Sequence, residues 1–213
     1  MNNWSQELEN DLRWREAELI SLKLQVIKTA KDSTPYQVLL RALWAILYAH
    51  YEGFCKFAWN LYLQELEKLG LKRKECRDEL AKLSLQNQLN PFKRNLTMDS
   101  FWEFGQIGFQ KMLEENLDFT HQIKKIDDQS NLHPDLFKEN SSQVCLGYQL
   151  VEKHQRELMI LVDRRNKIAH GKKLIIKDLQ EYQKYEDAAI EVMHELAISI
   201  VDCLDSQSYL KNP

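Results

Sequence analysis

The hydrophobic positions of this chain recur at helical spacing over most of its length. Trp4, Leu8, Leu12, Leu19, Leu22 and Val26 are separated by four, four, seven, three and four residues, one apolar stripe of a helix over residues 5–31. Ser5 is its expected N-cap, with acids in the first turn. Asp32-Ser33-Thr34-Pro35 breaks the pattern and restarts it, with Thr34 as cap and Pro35 at the first helical position. The second helix, about residues 35–69, is the most apolar stretch of the chain, stops at Gly70 and is expected at the centre of the fold. A short charged helix follows over 72–86, then a loop over 86–98. Asp99 or Ser100 caps a helix whose aromatics at 101, 102, 104 and 109 read as core and interface rather than as a base-stacking platform. Residues 118–141 are mixed and polar, a connector with short helical pieces. From Ser142 a long helix carries Val144, Tyr148, Val151, Leu158 and Leu161 toward Gly171. Leu174-Ile175-Ile176 is an apolar step that docks as a turn or extended piece. Asp178 and Glu181 then have capping-box form before a last helix to about Asp205.

No internal repeat, low-complexity tract or linker interrupts this series. The prediction is an all-α fold, a compact helical bundle of about five main helices forming a single domain over residues 1–213. Six glycines and four prolines in 213 residues agree with it. Four scattered cysteines without a CxxC pair, and an N-terminus without the basic and apolar regions of a signal peptide, point to a reduced, cytoplasmic setting. The most apolar run, residues 38–49, is too short to span a bilayer and carries Arg41.

A formal charge of −3 gives no global electrostatic footprint for nucleic acid, so any such contact must rest on a local patch. One exists: Arg164, Arg165, Lys167, Lys172 and Lys173 fall within ten residues that contain no acid. The same stretch, Asp163-Arg164-Arg165-Asn166-Lys167-Ile168-Ala169-His170-Gly171, gathers a guanidinium, a carboxamide and an imidazole. A guanidinium offers a planar fork to phosphate oxygens, and an imidazole moves protons near neutral pH. That set suits work on a phosphodiester. Helix ending accounts for much of the same composition, since cations oppose the macrodipole at a C-terminus and Gly commonly follows it. Asn166, a mediocre helix former, and the apolar Ile168-Ala169 pair are not required for capping.

Asn166 and His170 share a helix face, but Arg165 lies about 140° round from His170 at 3.6 residues per turn. Convergence therefore needs a helix end or a second copy of the chain. On the second helix, His50 and Glu52 stand among aromatics beside a helix-interior Gly53, whose simplest cause is close helix–helix approach. Glu52 is either an exposed carboxylate or a support that orients Arg165 or His170. The remaining histidines, His121, His133, His154 and His194, have no metal-ligand spacing.

Arg165-Asn166-Lys167-Ile168-Ala169-His170-Gly171 resembles the Arg-x4–6-His signature of the HEPN superfamily, including its polar residue after the Arg. The segment LYAHYEGFCKF (47–57) is similar to the corresponding helix of MAE-type HEPN-like nucleases. The resemblance implies a HEPN-like bundle and a metal-independent endoribonuclease needing no cofactor. His170 would transfer protons as the ribose 2′-OH attacks phosphorus, Arg165 would hold the phosphate, and Asn166 would position either. Glu52, and less directly His50, would support them, while Lys167, Lys172 and Lys173 would meet RNA. Arg164 stands six from His170, so either arginine could serve; the Asn after it favours Arg165. The resemblance also implies a homodimer with a composite site, a toxin or phage-defence role, and an antitoxin or regulatory partner. The alternative is a non-catalytic HEPN binding or dimerisation module of a two-component system.

Overall fold

Two antiparallel helices, α1 (Asn3–Lys28) and α2 (Thr34–Lys68), organise the molecule. The computed structural model describes residues 3–31, 33–86, 88 and 97–212. Leu8, Leu12, Leu19 and Val26 of α1 lie in the core, as their spacing requires. Ser5 is not a cap but sits inside α1, which already begins at Asn3. The cap of α2 is Ser33, one residue before the expected Thr34; its hydroxyl accepts from the Tyr36 N–H at 3.2 Å.

Helix α2 buries sixteen of its thirty-five residues, including Trp44, Tyr48, Tyr51, Phe54, Trp59 and Tyr62. Each such aromatic removes roughly 150–250 Å² from water, which explains why α2 occupies the centre. Gly53 marks its approach to α1. A Cβ there would stand 2.9 Å from Nη1 of Arg15, a buried α1 residue fixed by Asp11 at 2.5 Å.

After Gly70 a 3-10 turn (Arg73–Glu75) leads into α3 (Asp78–Leu85). Arg73 is fully buried and ties this region together, donating to Ser84 Oγ (2.9 Å), the Met112 carbonyl (2.8 Å) and Glu115 (2.9 Å). Most of the expected loop at 86–98 lies outside the described residues. The next expected helix is three pieces: α4 (Met98–Glu103), a π turn (Phe104–Gly108) and α5 (Phe109–Glu114), with Gly105 and Gly108 at the irregularity. Its aromatics do not enter the core. Phe101, Trp102 and Phe109 stand exposed with Met98 and Ile107, because this segment packs against the 3-10 turn rather than into the bundle.

The connector contains α6 (Thr120–Asp128) and α7 (Pro134–Gln143). The long helix expected from Ser142 is instead α8 (Gln149–Lys153) and α9 (Gln155–Ala169), separated from α7 by Cys145 at φ 62°. The break lets Val144 and Leu146, on either side of Cys145, both reach the core. Helix α10 (Leu179–Asp205) closes the bundle against α1 and α2. Asp178 caps it, accepting from the Glu181 N–H at 2.8 Å, but Glu181 turns to the Lys177 N–H (2.8 Å) and completes no reciprocal box.

Thus α1, α2, α9 and α10 make the bundle, with short helices over one end. Among the described residues there is no β-strand, only two isolated bridges, and no helix long and apolar enough to cross a membrane. Pairs along α10 fix the directions. Arg164 meets Glu181 and His154 meets Glu191, so α9 runs antiparallel to α10. Trp44 stacks near Tyr182 and Tyr62 meets Cys203, so α2 runs parallel to it. The C-terminus of α9 therefore points toward the N-terminus of α2.

Candidate functional site

Helix α9 ends in a Schellman arrangement. The Lys172 N–H reaches the Lys167 carbonyl at 2.9 Å and the Gly171 N–H reaches that of Ile168 at 3.0 Å, with Gly171 at φ 70°. His170 is the C-cap, exposed, with no hydrogen bond from its ring among the described residues. Helix ending and candidate chemistry are therefore one structure: the cap that stops α9 presents the imidazole at the surface. Ile168 packs on the core, but Ala169 does not and stays exposed.

Arg165, half-buried, turns back along α9 toward α2. Its Nη1 donates to Asn166 Oδ1 (2.7 Å) and Asn131 Oδ1 (3.2 Å), and its Nη2 to Glu52 Oε2 (3.3 Å). The guanidinium carbon lies 4.1 Å from the centroid of the Tyr48 ring. This backward reach follows from helix geometry, in which side chains lean toward the N-terminus. Tyr48 and Glu52, four apart on α2, form one face beneath it.

Two of these partners, Tyr48 and Asn131, carry no role in the sequence reading. For Tyr48 a signal existed, its i, i+4 relation to Glu52. Asn131 had none, because its place depends on tertiary contacts of the connector. It sits at φ 60°, a conformation Asn tolerates better than most residues. The Leu132 N–H donates to the Tyr48 hydroxyl at 2.7 Å. Lys56 donates to the carbonyls of Asp127 (3.0 Å) and Gln129, and approaches Glu52 at 3.8 Å. The α6–α7 turn is thus stitched to α2, and through Asn131 to Arg165. Burial, and then the Glu52 carboxylate, push the Tyr48 phenol above its ordinary range, so it stays neutral.

Arg164 goes elsewhere. Its guanidinium lies 4.6 Å from the Trp44 ring centroid and pairs with Glu181 at 2.6 Å. Burial opposes ionisation of Glu181, but the Lys177 N–H and Arg164 outweigh it, and its carboxyl lies below the usual range. Arg164 is therefore the clasp between α9 and α10, and of the two arginines only Arg165 stands with Glu52 and Asn166. His50 is likewise displaced from the expected support. Two residues from Glu52 on a helix, it faces α1, where its Nε2 lies 2.8 Å from Glu18 and its ring packs edge-on to Trp14. Burial first, and Arg15 second, lower its pKa.

The basic patch is smaller than the sequence suggests. Lys167 pairs with Asp163 at 2.7 Å, and Arg164 and Arg165 are engaged as described. Lys172 and Lys173, both exposed, remain without partners among the described residues. His154 and His194 lie within hydrogen-bond distance of Glu191 and Glu16. Among the described residues no group of three His, Cys, Asp or Glu is arranged to hold a metal.

The arrangement offers a held guanidinium, a carboxamide whose NH2 group is left free to donate when its oxygen serves Arg165, and an exposed imidazole at the helix end. A family model described as HEPN_MAE_28990-like HEPN matches residues 4–209. Comparison with curated proteins and with solved structures returns no match.

Proposed function

Because the chain belongs to the HEPN_MAE_28990-like HEPN family, we propose that it is a metal-independent endoribonuclease acting through Arg165, Asn166 and His170. HEPN domains are often nucleases or RNA-binding modules, and the choice between the two rests on the site. The observation that carries the nuclease reading is the treatment of Arg165. Four neighbours from three parts of the chain hold it, while a few residues away the exposed His170 ring has no hydrogen bond among the described residues. A cation needed only to cap α9 would lie along its last carbonyls instead of reaching back to Glu52.

In the reaction, an imidazole removes the proton of a ribose 2′-OH as its oxygen attacks the adjacent phosphorus. The P–O5′ bond breaks, the leaving oxygen takes up a proton, and a 2′,3′-cyclic phosphate and a 5′-OH result. Arg165 stabilises the charge that grows on the phosphoryl oxygens, and Asn166 positions either the phosphate or the guanidinium. The 2′-OH requirement restricts the reaction to RNA. Two protomers facing one cleft would bring the Arg165 of one to the His170 of the other. Such an enzyme suits a toxin or phage-defence effector held in check by an antitoxin or regulatory protein.

The test is RNA cleavage by purified protein in EDTA, comparing wild type with His170→Ala and Arg165→Ala. Cyclic-phosphate ends from the wild type, with a loss of at least a hundredfold in each variant, is the expected result. RNA bound but uncut by folded wild type would leave the non-catalytic binding module as the function.

A further inference from the structure

Arg41 lies on the site face of α2 but belongs to none of the contacts described so far. It precedes Tyr48 by seven residues and Glu52 by eleven, which at 3.6 per turn puts all three within about 20° of one line along the helix. It is half-buried, yet makes no hydrogen bond, ion pair or ring contact among the described residues. An arginine at this depth commonly finds a carboxylate or carbonyl, because partial desolvation of a charge favours a partner.

Arg41 and Lys173 line one cavity of about 390 Å³, between the first turns of α2 and the segment that follows His170. That volume is within the range of small-molecule sites. Among the described residues its lining, drawn from residues 33–41 and 173–175, includes no acidic side chain. Two cations lining one space repel each other. The wall is also tied to α2. Gln37 clips the segment to α2 in both directions, donating to the Ile176 carbonyl at 3.0 Å and accepting from its N–H at 3.4 Å. Along the chain only Gly171 and Lys172 separate His170 from Lys173 in the cavity wall.

We infer that the Arg41–Lys173 cavity is a phosphate subsite for RNA, holding a backbone phosphate that flanks the scissile one. The assignment rests on the ribonuclease reading for its place in catalysis, but not for the anion itself. Arg41 supplies the planar donors and Lys173 a mobile charge. A substrate with only the scissile phosphate gains nothing from the subsite; a longer one is held in register against His170.

Two measurements separate this inference from the function it extends. The first compares kcat/KM on a dinucleoside monophosphate and on a tetranucleotide, for wild type, Arg41→Gln, Arg41→Lys and Lys173→Gln. The expected result is a loss of about tenfold for Arg41→Gln on the tetranucleotide only, as for one charged hydrogen bond, partly restored in Arg41→Lys. The second measures binding of a 2′-O-methyl tetranucleotide against salt, where Arg41→Gln should flatten the log–log slope by about 0.7. If Arg41→Gln matches wild type in cleavage and in salt slope while His170→Ala is inactive, the subsite is wrong and the nuclease stands. If wild type cuts nothing but Arg41→Gln weakens binding with the flatter slope, the nuclease is wrong and the subsite stands. Equal loss on both substrates, with an unchanged slope and a lowered melting temperature, would mark Arg41 as structural and overturn the inference.

Discussion

At the scale of single residues, Glu52 separates a positioning role from a structural one. Its carboxylate lies 3.3 Å from Arg165 Nη2 and 3.8 Å from Lys56, and its side chain is 14% exposed. Glu52→Gln keeps the shape but removes the charge that holds the guanidinium. Given how steeply rate depends on placement, cleavage is expected to fall roughly ten- to hundredfold, mainly in kcat. Assays well below the melting temperature distinguish the two roles. A variant that loses thermal stability yet cuts RNA at the wild-type rate would show that Glu52 merely braces α2. His50, two residues earlier, makes the contrast, since its partners are Arg15 and Glu18 on α1. The resemblance implied both residues as supports of the motif; the opposite faces of α2 decide that Glu52 alone of the two meets Arg165.

At the scale of elements, the last turn of α9 carries the site, and its geometry depends on Gly171. The residue sits at φ 70° with nothing within 4 Å of a would-be Cβ, so the constraint on it is backbone conformation and not space. Gly171→Ala is expected to cost about 1–2 kcal/mol, read as a lower denaturant midpoint. Cleavage should fall by more than the folded fraction explains, because the residue that strains directly follows the one bearing the imidazole. Unchanged stability would mean that the Schellman turn is not the stop it appears to be in the hydrogen bonds. This end was legible from the sequence, because cations in a last turn and a glycine just after it are the usual signs of a helix stop. So were the spans of α1, α2 and α10, whose stripes are long, but of their expected caps only Asp178 holds, since α1 begins before Ser5 and Ser33 caps α2. Illegible were the break at Cys145, which exists so that Val144 and Leu146 can both reach the core, and the outward turn of Phe101, Trp102 and Phe109. Both depend on what the rest of the chain leaves room for, and periodicity carries no such information. Asn131 was invisible for the same reason: it acts through a connector stitched to α2 by Lys56.

At the scale of the whole molecule, two interfaces invite measurement. The α1–α2 contact should make stability pH-dependent near neutrality. Burial, and next the Arg15 charge, lower the folded-state pKa of His50, although Glu18 and Asp11 pull the other way. The unfolded chain then binds the proton more readily, so the full contribution is present above about 6.5 and is lost as pH falls toward the folded value. The shifted carboxyls of Glu181 and Glu191 act only in a more acid window, since both lie below 4.5. Melting temperature from pH 8 to 5 should therefore drop more steeply for wild type than for His50→Gln, and parallel curves would remove His50 as the cause. The second interface is between copies. Within one protomer Arg165 reaches back toward Glu52 while His170 stands exposed as the C-cap of α9, and no hydrogen bond joins the two among the described residues. If each cleft takes its arginine from one protomer and its histidine from the other, two dead variants can rescue each other. Random pairing of Arg165→Ala with His170→Ala puts both defects in one cleft of each heterodimer and leaves the other intact. About a quarter of all sites are then whole by the statistics of a twofold dimer. Mixing, unfolding and co-refolding the two proteins should restore about that share of wild-type cleavage. If the mixture stays as inactive as its components while size-exclusion shows heterodimers, both groups act within one chain, and Arg165 must swing away from Glu52 to meet its own His170.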